Sequence, residues 1–566
     1  MTPATAPPEG KVWLKSYPPG VPAEIDLGEF ASMRAILERS CRRFGELPAF
    51  TCMERTLTYA QVDGLSRDFA SWLQNVAGLG KGSRVALMMP NVLQYPVALF
   101  GALRAGLIVV NCNPLYTPRE LEHQLVDSGA EAVVILENFA HTLTAVAGRT
   151  RVRHVVTTQL GDLLGAPRSW LVNFVVKRVK RLVPAWSLPG SVSFGTALAE
   201  GRRHALVEPA LGHEDLAFLQ YTGGTTGVSK GAMLTHGNIV ANLQEVSAWL
   251  GGQFVDGREV AITALPMYHI FALTGSCCTN VKIGAHNILI TNPRDMPGFV
   301  KVLSKHPFST ISGVNTLFNG LMNTPGFAQL DFRPLKLSLA GGMAVQRAVA
   351  ERWKSVTGKP LLEAYGLTET SPGACINPIV EDFEYNGTAG LPLPSTTITI
   401  RDDEGRILPL GAEGEICIAG PQVMRGYWNR PDETAKVMTA DGAFRSGDIG
   451  LMTPEGFVKI VDRKKDMIVV SGFKVFPNEV EDVVAMLPGV REVCAVAAPD
   501  EHSGEVVRVV IVRKDPSLTR EQVIEHSRAN LTGYKVPRIV EFWNELPKTN
   551  VGKVLRREVK AAPLRP

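Results

Sequence analysis

The sequence predicts an α/β protein in which a large N-terminal domain of layered sheets carries a β-rich subdomain and precedes a small α+β C-terminal domain. Between Val85 and Val156, short apolar runs alternate with helical segments, and from Thr396 to Ile418 the pattern changes to hairpin-like strands. At 566 residues the chain is too long for one ordinary core, so two or more domains are expected. We place the N-terminal domain at 1–462, with its β-rich part near 390–460, and the C-terminal domain at 463–566.

The alternating region favours a parallel sheet with helical crossovers. Thr117 before Pro118 suits a helix N-cap, with Glu120 close behind. The predicted elements are a strand over Val85–Met89, a helix over Val92–Leu103, a strand over Leu107–Val110, a helix over Pro118–Ser128 and a strand over Ala132–Leu136.

The segment 169–183, SWLVNFVVKRVKRLV, differs in character from the sheet region before it. Large apolar residues fall at roughly helical spacing, and basic residues are clustered. A short helix with an apolar face and a basic cluster can lie in a membrane interface. The alternative is a surface helix packed on its own domain with a solvated charged face. The apolar residues are Trp170, Leu171, Phe174, Val175, Val179 and Leu182, and the basic residues are Lys177, Arg178, Lys180 and Arg181.

Glycines, threonines, a serine and one lysine fill the stretch Tyr221–Ala232, YTGGTTGVSKGA. A glycine-rich loop can bring several backbone N–H groups around an anion where a Cβ would obstruct close approach, and Lys230 would add a point charge. The spacing is not that of the usual P-loop. A flexible linker is the alternative, but the apolar run Leu216–Leu219 and a helix predicted over Asn238–Leu250 flank the loop. The stretch therefore predicts a polyphosphate site.

Further predicted strands end in residues that could face a ligand. Val260–Leu265 runs into PMYHIF, where His269 is either an ordinary packed histidine or a site residue. Lys336–Leu339 runs into Ala340–Gly342, and such small residues let a flat ligand or a phosphate approach the backbone. Another strand is expected over Thr310–Leu317.

Carboxylates and hydroxyls follow in short motifs. Glu363–Thr370, EAYGLTET, suits a nucleotide with its magnesium, although alone it could be an ordinary turn entering a helix. Mg²⁺ is typically held by one or two carboxylates plus substrate phosphates, so one glutamate would suffice. Asp448, in RSGDIG, is either a turn residue or an acceptor for sugar hydroxyls, because a carboxylate suits a ribose diol.

A dense charge run at Asp462–Asp466 precedes the C-terminal domain, as a linker or hinge should. The polar tail Pro547–Lys553 is interpreted as a mobile loop that carries Lys553. The segments between them suffice for an independent α+β domain. Its predicted elements are a helix over Asn478–Met486, strands over Val493–Ala498 and Val506–Val512, and a helix over Arg520–Asn530.

Composition argues against several classes of protein. A net charge of +4 on this length gives no argument for nucleic acid as a partner. The 8 cysteines lack metal-ligand spacing and the N-terminus lacks the apolar core of a signal peptide, so we expect free thiols in a cytoplasmic protein. Peripheral association with the inner face of the membrane depends on 169–183. The most apolar stretch, Pro96–Val110, is too short to span a bilayer. The sequence does not set the oligomeric state, and a homodimer is one option.

Several motifs in a fixed order make the chain closely similar to the adenylate-forming superfamily and, within it, to the bacterial long-chain fatty-acid–CoA ligases. The resemblance runs nearly end to end, from about Val12 to Arg557. One such motif is weak evidence, but all of them in order make chance an implausible explanation. The motifs are YTGGTTGVSKGAMLTH, LPMYHIFAL, LAGGM, EAYGLTETSP, RSGDIG, VDRKKDMIVVSGFKVFPNEVED, and LTGYKVP followed by PKTNVGKVLRRE.

The resemblance implies catalytic roles for individual residues. Lys553 matches the catalytic lysine of the family, and Lys465 matches its hinge position. Thr368 would lie near the α-phosphate and Glu369 would bind Mg²⁺. His269 would lie near the substrate carboxylate, which favours the second interpretation of that histidine.

The resemblance also implies which residues hold ATP and coenzyme A. The phosphate-gripping loop would comprise Thr222, Gly223, Gly224, Thr225, Thr226, Gly227 and Lys230. The adenine pocket would comprise Gly341, Gly342, Glu363, Ala364 and Tyr365. Asp448 would hold the ribose hydroxyls with Arg463 close to them, and Gly472 would leave room for the pantetheine arm.

The implied reaction has two steps. A fatty carboxylate attacks the α-phosphate of ATP to give acyl-adenylate and pyrophosphate, and the thiol of coenzyme A then displaces AMP. Rotation of a mobile C-terminal domain about Lys465 would let that domain serve both half-reactions. The rivals are a medium-chain or aryl acid–CoA ligase, a fatty acyl-AMP ligase and, outside enzymes, an acyl or nucleotide sensor on the same fold. The sequence does not set the acyl chain length.

Overall fold

The computed structural model describes residues 11–222, 229–500 and 502–564. These residues form four β-sheets with helices packed against them, so the predicted α/β class is confirmed. Three sheets belong to the large N-terminal part of the described chain, and the fourth lies in the small C-terminal part.

The first sheet contains the alternating region and confirms its predicted parallel pairing, apart from one antiparallel edge pair. Two crossover helices, Gln94–Arg104 and Pro118–Ser128, join consecutive strands as expected. In sheet order the strands are Val192–Ser193, His154–Thr158, Ala132–Leu136, Arg84–Met88, Ile108–Asn111, Leu216–Thr222 and Lys230–Thr235.

The helix Pro118–Ser128 has the predicted bounds because its caps are local. The Thr117 hydroxyl accepts a hydrogen bond from the Glu120 amide at 3.4 Å, and the Glu120 carboxylate accepts one from the Thr117 amide at 2.8 Å. This reciprocal capping box satisfies amides that the helix leaves unpaired. Gly129 ends the helix with φ of +63°, a conformation that favours glycine.

The glycine-rich loop joins two antiparallel strands rather than a strand and a helix. Thr222 pairs with Lys230 in the register of Leu216–Thr222 against Lys230–Thr235, and the helix His236–Leu250 follows. The strand at Lys230 was not predicted, because a six-residue strand beside glycines gives a weak periodic signal. Gly223, Gly224, Thr225, Thr226 and Gly227 lie outside the described residues.

The second sheet is parallel in its centre and antiparallel at both edges. In sheet order its strands are Leu391–Pro392, Gly373–Ile376, Leu361–Gly366, Leu337–Gly341, Thr310–Gly313, Val260–Thr263, His286–Leu289, Pro48–Cys52 and Arg55–Thr58.

The strand predicted over Thr310–Leu317 is wrong in its second half. The strand ends at Gly313, and the helix Asn315–Met322 follows. Phe318 and Leu321 are fully buried on this helix. A short apolar run fits either a buried helix or a buried strand. The prediction was wrong because it took the whole run as strand.

The third sheet is antiparallel and confirms the predicted β-rich part. Its strands are Thr397–Arg401, Gly414–Ala419, Phe444–Met452 and Val458–Arg463. The fourth sheet combines antiparallel pairs with one parallel pair. Its strands are Phe473–Val475, Ile468–Val470, Gly504–Arg513, Val490–Asp500 and Ile539–Trp543.

The remaining helices pack against these sheets or cover their edges. Arg520–Asn530 has the predicted bounds, and Pro477–Ala485 lies within one residue of the prediction at each end. The other α-helices are Met33–Phe44, Tyr59–Asn75, Ala140–Thr144, Phe194–Gly201, Thr279–Lys282, Met296–Leu303, Arg347–Thr357, Pro431–Val437 and Arg556–Ala561, and a π-helix spans Phe271–Cys278.

The segment predicted as a helix over 169–183 is helical over a shorter range. An α-helix over Arg168–Phe174 continues as a π-helix over Val175–Val179. Its large apolar residues face outward, with Trp170 71% and Phe174 58% exposed, whereas Val176 is buried. Val172 and Val176 nevertheless pack on the N-terminal part, as the alternative of a surface helix packed on its own domain expects, so the choice between the two interpretations stays a prediction. No helix among the described residues is long and apolar enough to cross a membrane.

Candidate active site

A cavity of about 2300 Å³ lies where the N-terminal sheets meet the C-terminal part of the chain. Strands of the first and second sheets end at its wall, at Thr222, Gly341 and Gly366. Ligands of open α/β sheets bind outside the carboxyl ends of strands, where backbone groups are free to contact them.

Glu369 is a carboxylate held inside this cavity. It lies in the single turn Thr368–Thr370 and is 8% exposed. Its Oε1 accepts a hydrogen bond from the Tyr427 hydroxyl at 2.7 Å, and its backbone carbonyl accepts one from the Met424 amide at 2.8 Å. Burial raises the pKa of Glu369, so a positive charge placed beside it would be stabilised.

Asp448 lies on the third sheet, in the strand Phe444–Met452, directly opposite Arg463. Its Oδ2 accepts a hydrogen bond from the Tyr365 hydroxyl at 2.7 Å, and its Oδ1 lies 3.4 Å from Arg463 Nε. Burial raises the pKa of Asp448 and the Arg463 charge opposes that rise. The side chain is thereby fixed with its oxygens at the cavity wall, where they could accept ligand hydroxyls.

Lys553 reaches the cavity from the C-terminal part. A Cβ placed on Gly342 would lie 2.8 Å from Lys553 Cε, so the end of the lysine side chain lies directly against Gly342. Burial and the positive charge of Arg463 lower the pKa of Lys553 to about 8. The negative charge of Asp448 partly opposes this fall in the pKa of Lys553. The ammonium thus lies within electrostatic reach of Asp448 and next to the small residues that end the strand Leu337–Gly341.

The tail Pro547–Lys553, predicted as a mobile loop, forms a turn docked on the N-terminal part. Lys548 and Val554 form a bridge across the turn, and the Thr549 amide donates to the Lys553 carbonyl at 2.7 Å. The Thr316 hydroxyl donates to the Gly552 carbonyl at 2.9 Å. These contacts fix Lys553 against the cavity in this orientation of the C-terminal part.

His269 lines the same cavity beside Phe271. Burial and, to a smaller extent, the positive charge of Lys553 lower its pKa to about 3. The imidazole is therefore neutral at physiological pH and can donate or accept a hydrogen bond. Of the two interpretations of His269, the geometry supports a residue that faces the cavity.

Glu363 also lines the cavity, on the strand Leu361–Gly366. Its Oε1 accepts a hydrogen bond from the Val345 amide at 3.4 Å. Burial and the nearby charge of Asp482 raise its pKa to about 8, so it is largely uncharged at neutral pH. Gly341, Gly342, Ala364 and Tyr365 line the cavity with it.

Lys230 is held at the cavity by an acidic and an aromatic partner. Its ammonium forms an ion pair with Glu433 and lies 4.9 Å from the centre of the Tyr427 ring. Thr222, its partner in the strand register, also lines the cavity. The described ends of the glycine-rich loop therefore face the space that Glu369 also faces.

Comparison with known proteins identifies the family. A sequence profile described as AMP-binding enzyme matches residues 37–428, and one described as AMP-binding enzyme C-terminal domain matches residues 479–553. The chain belongs to the AMP-binding enzyme family. It is 56% identical to the long-chain-fatty-acid–CoA ligase of Escherichia coli O6:H1 over 97% of this chain and 98% of that one.

Solved structures of other proteins share the fold. The anthranilate CoA ligase AuaEII, in complex with anthranoyl-AMP, matches 95% of this chain and 98% of its own with a TM-score of 0.83 at 22% identity. ATP-bound MatB from Rhodopseudomonas palustris matches 94% of this chain and 98% of its own with a TM-score of 0.79 at 26% identity. The arrangement of large and small parts in this AMP-binding enzyme is therefore a known one.

Most site residues predicted for this AMP-binding enzyme lie around one cavity. Its lining includes His269, Thr368, Glu369, Lys553, Thr222, Lys230, Gly341, Gly342, Glu363, Ala364, Tyr365, Asp448, Arg463 and Lys465. Gly472 does not belong to that lining; it lies in the hairpin between Ile468–Val470 and Phe473–Val475 with φ of +86°. The five loop residues between Thr222 and Val228 are outside the described part of the chain.

A cation at Glu369 would need ligands from elsewhere. Among the described residues, no group of three or more His, Cys, Asp or Glu side chains could hold a metal. Mg²⁺ usually takes one or two carboxylates together with substrate phosphates and water. The buried carboxylate of Glu369, opposite the described ends of the glycine-rich loop, therefore fits Mg²⁺ that arrives with a nucleotide.

The sequence interpretation missed several polar residues of the site. Tyr427 binds Glu369, Glu433 binds Lys230, and Asp482 accepts a hydrogen bond from the Arg347 amide at 3.1 Å across the two parts. Tyr427 lies in MRGYWNRP, where aromatic residues beside a methionine suggest core packing. The arginine and asparagine in the same stretch were the available signal that it faces a polar site.

Proposed function

We propose that this chain is a long-chain fatty acid–CoA ligase that consumes ATP and releases AMP and pyrophosphate. The observation that carries the proposal is the convergence of Glu369, Asp448 and Lys553 on one cavity, in a chain 56% identical to a long-chain-fatty-acid–CoA ligase. An acid–thiol ligase of this type needs groups for the metal, the ribose and the transferring centre. Those groups come from distant segments of the chain, which a fortuitous cavity would not bring together.

In the first half-reaction a fatty carboxylate attacks the α-phosphorus of ATP, and pyrophosphate leaves with the bond electrons. Lys553 and Thr368 stabilise negative charge at the transferring centre, while Thr222, Lys230 and the loop between them hold the leaving phosphates. Asp448 accepts hydrogen bonds from the ribose hydroxyls. Mg²⁺ held by Glu369 neutralises phosphate charge when bound.

The part of the lining that contains Gly341, Gly342 and Tyr365 suits adenine. Gly341 and Gly342 leave backbone exposed to a flat ring, and Tyr365 adds an aromatic neighbour. Because Glu363 is largely uncharged at neutral pH, it can both donate and accept hydrogen bonds to a base edge. Neutral His269 lies where it can contact the acyl carboxylate without adding charge.

Apolar residues of the lining support a fatty acid as the substrate. Many of the side chains around the cavity carry no polar atom, and a hydrocarbon chain gains about 0.8 kcal/mol for each buried methylene. The apolar lining residues include Val246, Ile270, Phe271, Leu339 and Ile376.

In the second half-reaction the thiol of coenzyme A attacks the acyl carbonyl and AMP leaves. We propose that 1–462 forms the adenylation domain and that 463–566 is a lid that rotates about Lys465. Lys465 lies in the turn between Val458–Arg463 and Ile468–Val470, and its side chain is exposed, as suits a hinge that absorbs a change of backbone angles. Rotation would withdraw Lys553 and bring the hairpin at Gly472 towards the cavity.

An acid panel tests the proposed activity. Purified protein is incubated with ATP, Mg²⁺, coenzyme A and saturated acids from short to very long, and AMP and acyl-CoA are measured together. We expect one AMP per acyl-CoA and the highest kcat/KM with long-chain acids. An optimum with medium-chain or aryl acids would replace the substrate assignment, and AMP formation without thioester would indicate an acyl-AMP ligase. Binding without turnover would indicate a sensor.

We further propose that the segment 168–182 binds an anionic membrane surface. Leu171, Val179 and Leu182 are exposed together with Trp170 and Phe174, which is unusual for side chains of this size at a water-facing surface. The basic residues follow directly, and Arg178, Lys180 and Arg181 are exposed. Lys177 forms an ion pair with Glu137 at 3.0 Å, so its positive charge is partly neutralised and should attract an anionic membrane less.

Vesicle sedimentation tests this surface. We expect the protein to sediment with phosphatidylglycerol-rich vesicles and not with phosphatidylcholine vesicles, since each exposed basic residue near an anionic surface contributes about 1 kcal/mol. Reversal of Arg178, Lys180 and Arg181 to glutamate should abolish sedimentation, whereas Lys177→Glu should have the smaller effect. Equal binding of all variants would contradict the proposal. All 8 cysteines are buried and unpaired, which supports a reducing compartment and hence the cytoplasmic face.

A further inference from the structure

The segment 424–428 connects the turn that carries Glu369 to the strand that begins at Lys230. Its Met424 amide donates to the Glu369 carbonyl at 2.8 Å. Two residues further, the Met233 amide donates to the Gly426 carbonyl at 2.8 Å, and the Trp428 amide donates to the Gly231 carbonyl at 2.8 Å. The segment therefore pairs with the strand Lys230–Thr235 and bonds the neighbouring turn through its first residue.

The side chain of Tyr427 also links Glu369 to Lys230. Its hydroxyl donates to Glu369 Oε1 at 2.7 Å, and its ring centre lies 4.9 Å from Lys230 Nζ. Tyr427 is 7% exposed, and its own amide donates to the Thr434 hydroxyl at 2.9 Å. Both ends of this tyrosine are thus fixed by packing and hydrogen bonds before any ligand is bound.

We propose that Tyr427 is a positioning residue that orients the Glu369 carboxylate towards the nucleotide's divalent cation and supports Lys230 with its ring face. The inference rests on the proposed function of the same site. A hydroxyl that occupies one carboxylate oxygen fixes the side-chain rotamer and leaves the other oxygen for a cation. Hydrogen-bond partners of metal ligands typically contribute about 10–100-fold to metal affinity or activity. Tyr427 is bonded to Glu369 and packed against Lys230, so the role we assign to it passes through these two residues.

The two contacts are separable by substitution. Tyr427→Phe removes the hydroxyl but keeps the ring beneath Lys230, so a cation–π contact remains. Tyr427→Leu removes both. We therefore expect the first change to weaken cation binding alone, and the second to weaken cation and nucleotide binding together.

The test measures binding rather than turnover and uses the full-length protein. Mn²⁺ replaces Mg²⁺ as a paramagnetic probe, and its free concentration is read from electron paramagnetic resonance in the presence of α,β-methylene-ATP, which cannot be adenylated. Tyr427→Phe should weaken Mn²⁺ binding by about 10-fold. Its metal-free affinity for the analogue should stay within about two-fold, because the ring remains in place.

Tyr59→Phe is the matched control for deletion of a buried hydroxyl. The Tyr59 hydroxyl donates to the Ala285 carbonyl at 2.7 Å, and the side chain is 1% exposed, away from the cavity lining. This variant should bind Mn²⁺ as the wild type does. A similar melting temperature for the two variants shows that both are folded.

Glu369→Gln completes a double-mutant cycle that separates the inference from the proposed function. If Tyr427 acts through Glu369, adding Tyr427→Phe to Glu369→Gln should cost less than about two-fold in Mn²⁺ affinity. Additive losses would overturn the positioning role, as would wild-type Mn²⁺ affinity in Tyr427→Phe beside a clear loss in Glu369→Gln. Wild-type affinity in Glu369→Gln would instead overturn the metal assignment of the proposed function.

Discussion

The cavity and the segment 168–182 differ from the usual distribution of side chains in opposite ways. At the cavity, Glu369 and Asp448 are ionisable groups withdrawn from water, at 8% and 6% exposure. On the segment, Trp170 and Phe174 are large apolar groups left in water. Folding alone favours neither arrangement, because buried charges lose hydration and exposed apolar side chains gain no burial.

Each region therefore presents side chains that a partner of the opposite kind could stabilise further. A polyphosphate with its cation would compensate the buried carboxylates and lysine, and a bilayer would cover the apolar side chains. The pKa shifts agree with this interpretation at the cavity. Burial raises the pKa of Glu369 and of Asp448 and lowers that of Lys553 to about 8. An opposite charge from a ligand would therefore stabilise the ionised form of each of these groups.

The largest effect is expected for Lys553→Ala. Loss of one preorganised charge at a transferring centre typically costs about 10²–10³-fold in rate. The rate of adenylate formation, measured by pyrophosphate exchange, should fall by that factor. The rate of thioester formation from supplied acyl-adenylate should be largely unchanged. Equal loss in both half-reactions would show that Lys553 supports the whole site rather than one step.

A smaller effect is expected for Asp448→Asn, which keeps the shape of the side chain and removes its charge. A hydrogen bond to a charged group is worth about 1.5–3 kcal/mol, so the KM for ATP should rise by roughly 10–100-fold with a modest change in kcat. Asp441→Asn is the control, since Asp441 pairs with Arg401 outside the cavity lining. A fall in kcat at unchanged KM would contradict a ribose-binding role.

The pH dependence of adenylation should follow Lys553. Its pKa is lowered to about 8, so the charged form is present below that value and is lost as the pH rises through it. Pyrophosphate exchange should therefore fall by about tenfold per unit above pH 8. Lys553→Arg should remove this limb while lowering the overall rate, because a guanidinium stays charged. A flat wild-type profile up to pH 10 would contradict the assignment.

The predictable parts of the fold were those with local causes. The helix Pro118–Ser128 was predicted with its bounds because Thr117, Glu120 and Gly129 cap it through neighbouring backbone groups. The first residues of the helix Asn315–Met322 were predicted as the end of the strand Thr310–Leu317 because the apolar residues there face a core that only the tertiary fold creates.

The site shows the same division between local and distant causes. Motif resemblance placed Glu369, Asp448 and Lys553 around one cavity although they are far apart in sequence. Tyr427 was missed because its role depends on a hydrogen bond to a residue 58 positions away. The arginine and asparagine beside it indicate a polar site but not which residue its hydroxyl binds. The exposure of Trp170 likewise depends on what the fold leaves uncovered.

The smallest effect on the fold is expected at the segment 168–182. Replacement of Trp170 and Phe174 by serine removes side chains that are mostly in water, so the free energy of unfolding should change by less than about 0.5 kcal/mol. Val176→Ser, two residues after Phe174 and on the buried side, should cost about 1–3 kcal/mol because it places a hydroxyl in an apolar contact. Denaturant titration compares the two. If the exposed pair proves as costly as Val176, these side chains stabilise the fold, and the contrast with the cavity fails. The other outcome is that replacing Trp170 and Phe174 leaves the free energy of unfolding unchanged but abolishes vesicle binding. In that case the exposed apolar side chains bind a membrane surface, just as the buried charged side chains of the cavity bind a ligand.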